Sequence, residues 1–111
     1  MNRRRKGTVA EEIAVSYLRS LGYSIVDRNV HMRVGEIDIV AEHNGELVFV
    51  EVRSSSSGNP LESITPRKIE HLKKAILLYM AENKLDVPFR IEVITVVGGK
   101  IHAHIEDLML D

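Results

Sequence analysis

The chain has 111 residues, 44% of them apolar and 28% charged, the make-up of one globular domain with a modest core. It has no cysteine, which excludes a disulfide framework and a thiolate zinc site. The formal net charge of −1 decides nothing about a polyanionic partner, and no apolar run approaches the ~20 residues of a membrane span.

The N-terminus MNRRRKGT has no apolar stretch behind its charges and does not read as a secretory signal, so a cytoplasmic location is expected. Arg3, Arg4, Arg5 and Lys6 form a basic arm able to neutralise backbone phosphates; a frayed, solvated terminus has the same composition. Val9, Ala10, Ile13, Ala14, Tyr17, Leu18 and Leu21 then recur at helical spacing, and Gly22 stands where a helix ends. This predicts a helix over 9–21, followed by a strand over 23–30.

Two apolar runs, 36–42 and 46–53, flank Asn44-Gly45, a pair that signals a tight hairpin turn. The SSSSGNP stretch over 54–60 reads as a loop. Thr65-Pro66 supplies an N-cap and a proline at the first helical position. Ile69, Leu72, Ile76, Leu77 and Met80 carry that second helix to about Asn83. FRIEVITVV over 89–97 is a further strand, which Gly98-Gly99 turns into the final KIHAHI. The predicted order is α-β-β-β-α-β-β in a single α/β domain. A mixed sheet with one helix on each face would bury both apolar stripes.

The hairpin carries acids inside its apolar runs. A symmetric two-residue loop at Asn44-Gly45 pairs His43 with Glu46 and, counting outward, Asp38 with Glu51 and Glu36 with Arg53. Directly opposed side chains share a sheet face with Cβ atoms ~4.5–5.5 Å apart, and Glu51 and Arg53 share one by the period of two. Asp38, Glu51 and Arg53 should therefore cluster. Two ionised carboxylates at ~5 Å and an effective dielectric near 20 repel by on the order of 3 kcal/mol. Sharing a proton, pairing with Arg53 or binding a cation each relieves this. Mg²⁺ suits one or two carboxylates completed by phosphate oxygens.

Glu11 borders the apolar stripe of the first helix, while Glu12 points outward. Thr8-Val9-Ala10-Glu11 also fits a capping box, so Glu11 has two available roles. His102 and His104 share a face of the last strand, where imidazoles can ligate a metal or simply lie at the surface. Aromatic residues make up 5% of the chain, with no tryptophan, which argues against a base-stacking platform.

Gly7-x-x-Ala10-Glu11-x-x-Ala14, Tyr17-Leu18, Gly22-Tyr23, Arg28-Asn29, Gly35-Glu36-Ile37-Asp38, Phe49-Val50-Glu51-Val52, Lys68 and Arg90-Ile91-Glu92 together resemble the YraN-like family of bacterial proteins. That family looks like a member of the restriction-endonuclease-like superfamily with PD-(D/E)xK active sites, similar in motif order to archaeal Holliday junction resolvases. The resemblance spans nearly the whole chain. It implies an αβββαβ core and a metal-dependent phosphodiesterase site. In it Glu11 matches the helical acid, Asp38 the motif aspartate, and Glu51 the acid of the (D/E)xK element. Val52 would offer a main-chain carbonyl to Mg²⁺ or Mn²⁺.

One position departs from the pattern. The motif lysine falls on Arg53, whose guanidinium stays charged and cannot act as a general base, although it can stabilise phosphoryl charge. Lys68, at the start of the second helix, is the candidate to substitute in space; a lysine there is also often simply exposed.

The expectation is a metal-dependent nuclease acting on DNA, with branched or junction DNA as a candidate substrate, Arg3, Arg4, Arg5, Lys6 and Lys68 contacting nucleic acid, and a homodimer by analogy with junction resolvases. A catalytically impaired nucleic-acid-binding module of the same fold is the first alternative. A domain with no nucleic-acid role is the second.

Overall fold

The computed structural model describes residues 8–108; the basic arm Arg3–Lys6 lies outside them. In chain order the elements are α1 (Val9–Ser20), β1 (Ser24–Met32), β2 (Gly35–His43), β3 (Glu46–Ser55), a short 3-10 helix (Pro60–Ser63), α2 (Pro66–Glu82), β4 (Phe89–Val97) and β5 (Lys100–Ile105). The five strands form one sheet in sequence order. Neighbours are antiparallel except β3 and β4, which run parallel, because α2 carries the chain back between them. The α/β class and the αβββαβ order are those read from the sequence. The 3-10 helix is an addition: Asn59 caps it with its side chain, and Pro60, the last residue of the serine-rich loop, opens it, while Ser54 and Ser55 at the loop's other end extend β3.

The two helices start at strong local signals. Thr8 accepts from the Glu11 N–H and Glu11 reaches back to the Thr8 N–H, a complete capping box. Thr65 accepts from the Lys68 N–H, with Pro66 at the first helical position. At the hairpin Asn44 and Gly45 have φ of 52° and 80°, the left-handed pair that a two-residue turn between twisted strands requires. The pairing His43 to Glu46 and onward to Ile39 with Val50 is the register that turn dictates.

Apolar layers cover both faces of the sheet. Ala14, Val15 and Leu18 of α1 pack on Ile39, Ala41, Val48, Val50, Ile94 and Val96. Leu72, Ala75, Ile76, Tyr79 and Met80 of α2 pack on Ile37, Val40, Phe49 and Ile91. With both faces buried, β2, β3 and β4 read as nearly continuous apolar runs instead of alternating ones.

The buried face of α1 is rotated from the one periodicity suggested. Val9 is 76% exposed and Leu21 46% exposed, while Val15 is buried. The packed stripe is Ala10, Glu11, Ala14, Val15 and Leu18, so Glu11 moves from the border of the stripe onto it. Glu12 does point outward, and pairs with Arg28 of β1 at 2.8 Å.

Gly35 lets β2 begin hard against α2. A Cβ placed there would lie 2.8 Å from the main-chain oxygen of His71, closer than van der Waals contact permits. The start of β2, and with it Asp38, is thereby held next to the first turns of α2.

Candidate functional site

The β2–β3 ladder runs out after Ile39 and Val50. One step beyond, where Asp38 and Glu51 face each other, the Asp38 carboxylate accepts a hydrogen bond from the Val52 N–H at 2.8 Å. A side chain thus takes the place of a strand carbonyl, and the two strands part. The opening is a cleft of about 550 Å³ whose walls include Glu11 from α1, Glu36 and Asp38 from β2, Glu51, Val52 and Arg53 from β3, and Lys68 and His71 from α2. Four carboxylates and three basic side chains meet there.

Asp38 and Glu11 are buried, at 9% and 4% exposure. Glu51 is 20% exposed, and its Oε2 lies 3.4 Å from Arg53 Nε. Burial raises the Glu51 pKa first, repulsion from Asp38 raises it next, and a hydrogen bond to Asp38 adds to both. Arg53 and Lys68 pull it down, and the result is about 7. Glu51 is therefore an acid held close to its midpoint at neutral pH, beside a second carboxyl. A strongly shifted acid in a cleft, with a named charge partner beside it, is a candidate for a functional site.

Arg53 departs from the expected cross-strand pairing. Glu36 does not oppose it, because the strands have separated before that rung; Glu36 pairs with His31 of β1 at 3.2 Å instead. Arg53 turns to Glu51, and its Nη2 lies 3.4 Å from the Ser63 carbonyl oxygen at the end of the 3-10 helix. Its Nε is buried without a hydrogen-bond partner, since the contact to Glu51 is close but poorly aligned.

Glu11 is placed where both of its available roles are open to it. It closes the capping box and also lines the cleft. Lys68 lines the same cleft, close enough to Glu51 to lower its pKa. Among the described residues no three His, Cys, Asp or Glu side chains are grouped to hold a metal ion by themselves. The donor set is two adjoining carboxylates with room beside them. That fits a hard cation which takes its remaining oxygens from main chain, water or a phosphate.

The histidines of β5 sit elsewhere. His104 places Nε2 2.7 Å from Glu92 Oε1 and Nδ1 3.0 Å from the Tyr17 hydroxyl, so both ring nitrogens are engaged. His102 contacts Thr95 at 3.1 Å. Glu92 itself is fully buried and is held by the Tyr23 hydroxyl at 3.0 Å and Arg90 Nε at 2.6 Å. This network joins α1, β4 and β5 and has no share in the cleft.

Two features around the acid pair escaped the sequence. His71 lines the cleft from a helical position that reads as ordinary surface. Asn29 is buried at 7% with φ of 52°, on the rung between the pairs Arg28–Ile39 and Val30–Ile37, opposite Asp38. The Arg28-Asn29 dipeptide was the available signal, but the Arg33-Val34 turn between β1 and β2 has no turn signature from which to count a register.

The fold is a mixed α/β domain in which a five-stranded sheet, flanked by helices, opens at one point to present paired acids. No described helix is long and apolar enough to cross a membrane. The chain belongs to the family described as Uncharacterised protein family UPF0102, which matches residues 10–96; the YraN-like resemblance is this membership. It is 40% identical over 107 residues to a UPF0102 protein of Wolinella succinogenes, covering 96% of this chain and 98% of that one. A UPF0102 protein of Syntrophomonas wolfei is 45% identical over 103 residues, covering 87% and 90%. One from Thermotoga maritima is 42% identical over 102 residues, covering 91% and 94%. Among solved structures, an FdxN element excision controlling factor protein from Anabaena variabilis aligns over 87% of this chain and 98% of that one, at 14% identity and a TM-score of 0.43, too distant a likeness to bear on function.

Proposed function

We propose that this protein is a metal-dependent nuclease that hydrolyses phosphodiester bonds in DNA within the cytoplasm. The observation that carries the reading is the pair Asp38 and Glu51, two adjoining carboxylates at the break in the sheet, with Glu51 poised near pH 7. A structural domain gains nothing from keeping two mutually repelling acids in its centre, whereas a hard cation would neutralise both.

In this reading Asp38 and Glu51 hold Mg²⁺ or Mn²⁺. The Val52 N–H points toward β2, and the carbonyl of the same strand residue points the same way, toward the opening where the metal would take it as a ligand. Glu11 adds a further oxygen directly or through water. The bound cation supplies a lowered pKa for its water and offsets charge on the scissile phosphate. Arg53 and Lys68 stabilise the charge that grows on the phosphoryl oxygens. The arm Arg3–Lys6 and Lys68 grip neighbouring backbone phosphates. A homodimer would present two clefts to a branched substrate.

The second reading is a binding module that no longer cuts, and the observation favouring it is Arg53, which is unable to take a proton from water. Both readings are separated by titrating Mg²⁺ and Mn²⁺ calorimetrically into wild type and Asp38→Ala, then incubating each with branched, single-stranded and duplex DNA. Ion binding and cleavage by wild type alone support the nuclease. Ion and DNA binding without cleavage support the module. A wild type that binds no ion ends the nuclease reading.

A further inference from the structure

Strand alternation fails on β1 and β2 at the same rung. On β2, Ile39 packs under α1 but Ile37, two residues away, packs under α2. An unbroken strand would keep them on one face. On β1, Arg28 reaches Glu12 of α1 while Val30 packs against the α2 layer. Between each pair lies one polar residue, Asn29 and Asp38, and the register sets them opposite one another.

The break on β1 is made by Asn29 itself, whose φ of 52° is the left-handed conformation that asparagine tolerates best after glycine. If only the backbone kink mattered, glycine would serve at lower cost. A carboxamide buried to 7% exposure must instead have its polar atoms satisfied, and the group across the rung is a carboxylate. Asp38 has one oxygen committed to the Val52 N–H and shares the cleft with the Glu51 carboxyl. An amide donor from the opposite side would complete the set that fixes its plane.

We propose that Asn29 is a positioning residue for Asp38: the kink at Asn29 brings its carboxamide across the rung, where it donates to the Asp38 carboxylate and holds it facing the cleft. The consequence for ion binding rests on the nuclease reading; the contact does not.

The test uses the full chain with Asn29→Gly, which keeps the left-handed backbone and removes the amide, and Asp38→Ala, singly and together. In metal-free denaturant titrations the midpoint shift of the double variant is expected to fall short of the sum of the single shifts. Calorimetry with Mn²⁺ alone is expected to show Asn29→Gly binding 10–100-fold more weakly than wild type, the loss typical when a ligand's supporting hydrogen bond is removed. Additive midpoints overturn the contact. Unchanged Mn²⁺ affinity in Asn29→Gly overturns the positioning role. Should Asp38→Ala fail to fold, the side-chain amide protons of Asn29 decide the contact by NMR: slow exchange in wild type and a changed shift in Asp38→Asn support it, and rapid exchange or an unchanged shift overturns it. A wild type that binds no Mn²⁺ defeats the nuclease reading alone, because the midpoints and the amide protons still report on Asn29.

Discussion

The carboxylate of Asp38 accepts the Val52 N–H at 2.8 Å, so a side chain of β2 closes a hydrogen bond that its main chain leaves open. This contact ends the β2–β3 ladder and also anchors one member of the acid pair. Replacing Asp38 by alanine should therefore have two opposed effects. The Val52 N–H loses its partner, at a cost of about 1–3 kcal/mol, while Glu51 loses its repelling neighbour. NMR titration of the Glu51 carboxyl in Asp38→Ala should show its midpoint below about 7. A midpoint that stays in place would mean that burial alone holds it up.

The raised Glu51 pKa has a signed consequence for stability. The folded protein holds the Glu51 proton more tightly than the unfolded chain does. Its contribution is thus favourable below the ordinary value of 4.5 and is lost as pH rises through about 7. Metal-free wild type should become less stable across that window, by on the order of 3 kcal/mol at most. Glu51→Gln should flatten the dependence. Urea titrations at several pH values measure it, and parallel profiles for the two proteins would refute the assignment to Glu51.

Gly35 is required for close approach, as a Cβ would meet the His71 oxygen at 2.8 Å. Gly35→Ala should destabilise the fold by about 1–3 kcal/mol, the usual range for overpacking. Because the clash is with helix backbone, a rotamer change cannot relieve it. Denaturant unfolding reads the loss, and a neutral result would show that α2 can shift away from β2.

In the cleft, Lys68→Ala and Arg53→Ala should each slow DNA cleavage about 100-fold or more if both side chains stabilise developing charge, with little change in folding, since neither belongs to an apolar layer. Single-turnover rates at saturating Mn²⁺ separate this from weakened DNA binding. Equal rates in Lys68→Ala and wild type would remove Lys68 from the site.

Glu92 is fully buried and ion-paired to Arg90 at 2.6 Å. Glu92→Ala leaves the Arg90 guanidinium with Glu46 as its remaining carboxylate and should cost about 1–3 kcal/mol. His104→Ala removes only a flanking partner and should cost less. Thermal unfolding of both ranks them, and the reverse order would place the weight of the network on β5.

Much of this protein follows from signals that act over a few residues. The Asn44-Gly45 turn sets its own φ values and thereby the pairing out to Ile39 and Val50, which was enough to bring Asp38 level with Glu51. Thr8 and Thr65 start their helices by bonding to main-chain N–H groups three residues on. The chain order of the elements, the helix caps and the opposed acids were legible because each depends on neighbours close in sequence.

What tertiary structure alone decided lies across longer separations. Periodicity allowed several faces of α1 to turn inward, and packing on Ile39 and Val50 chose the one that carries Glu11 into the cleft. Parting of β2 from β3 denied Arg53 its partner Glu36 and gave it Glu51 instead. The position of Asn29 opposite Asp38 depends on a hairpin without a turn signature and on a β1 whose register slips between Ile25 and Asp27. A bulge of that kind changes which face every later side chain occupies. Only the assembled sheet, packed on both sides, determines where it falls.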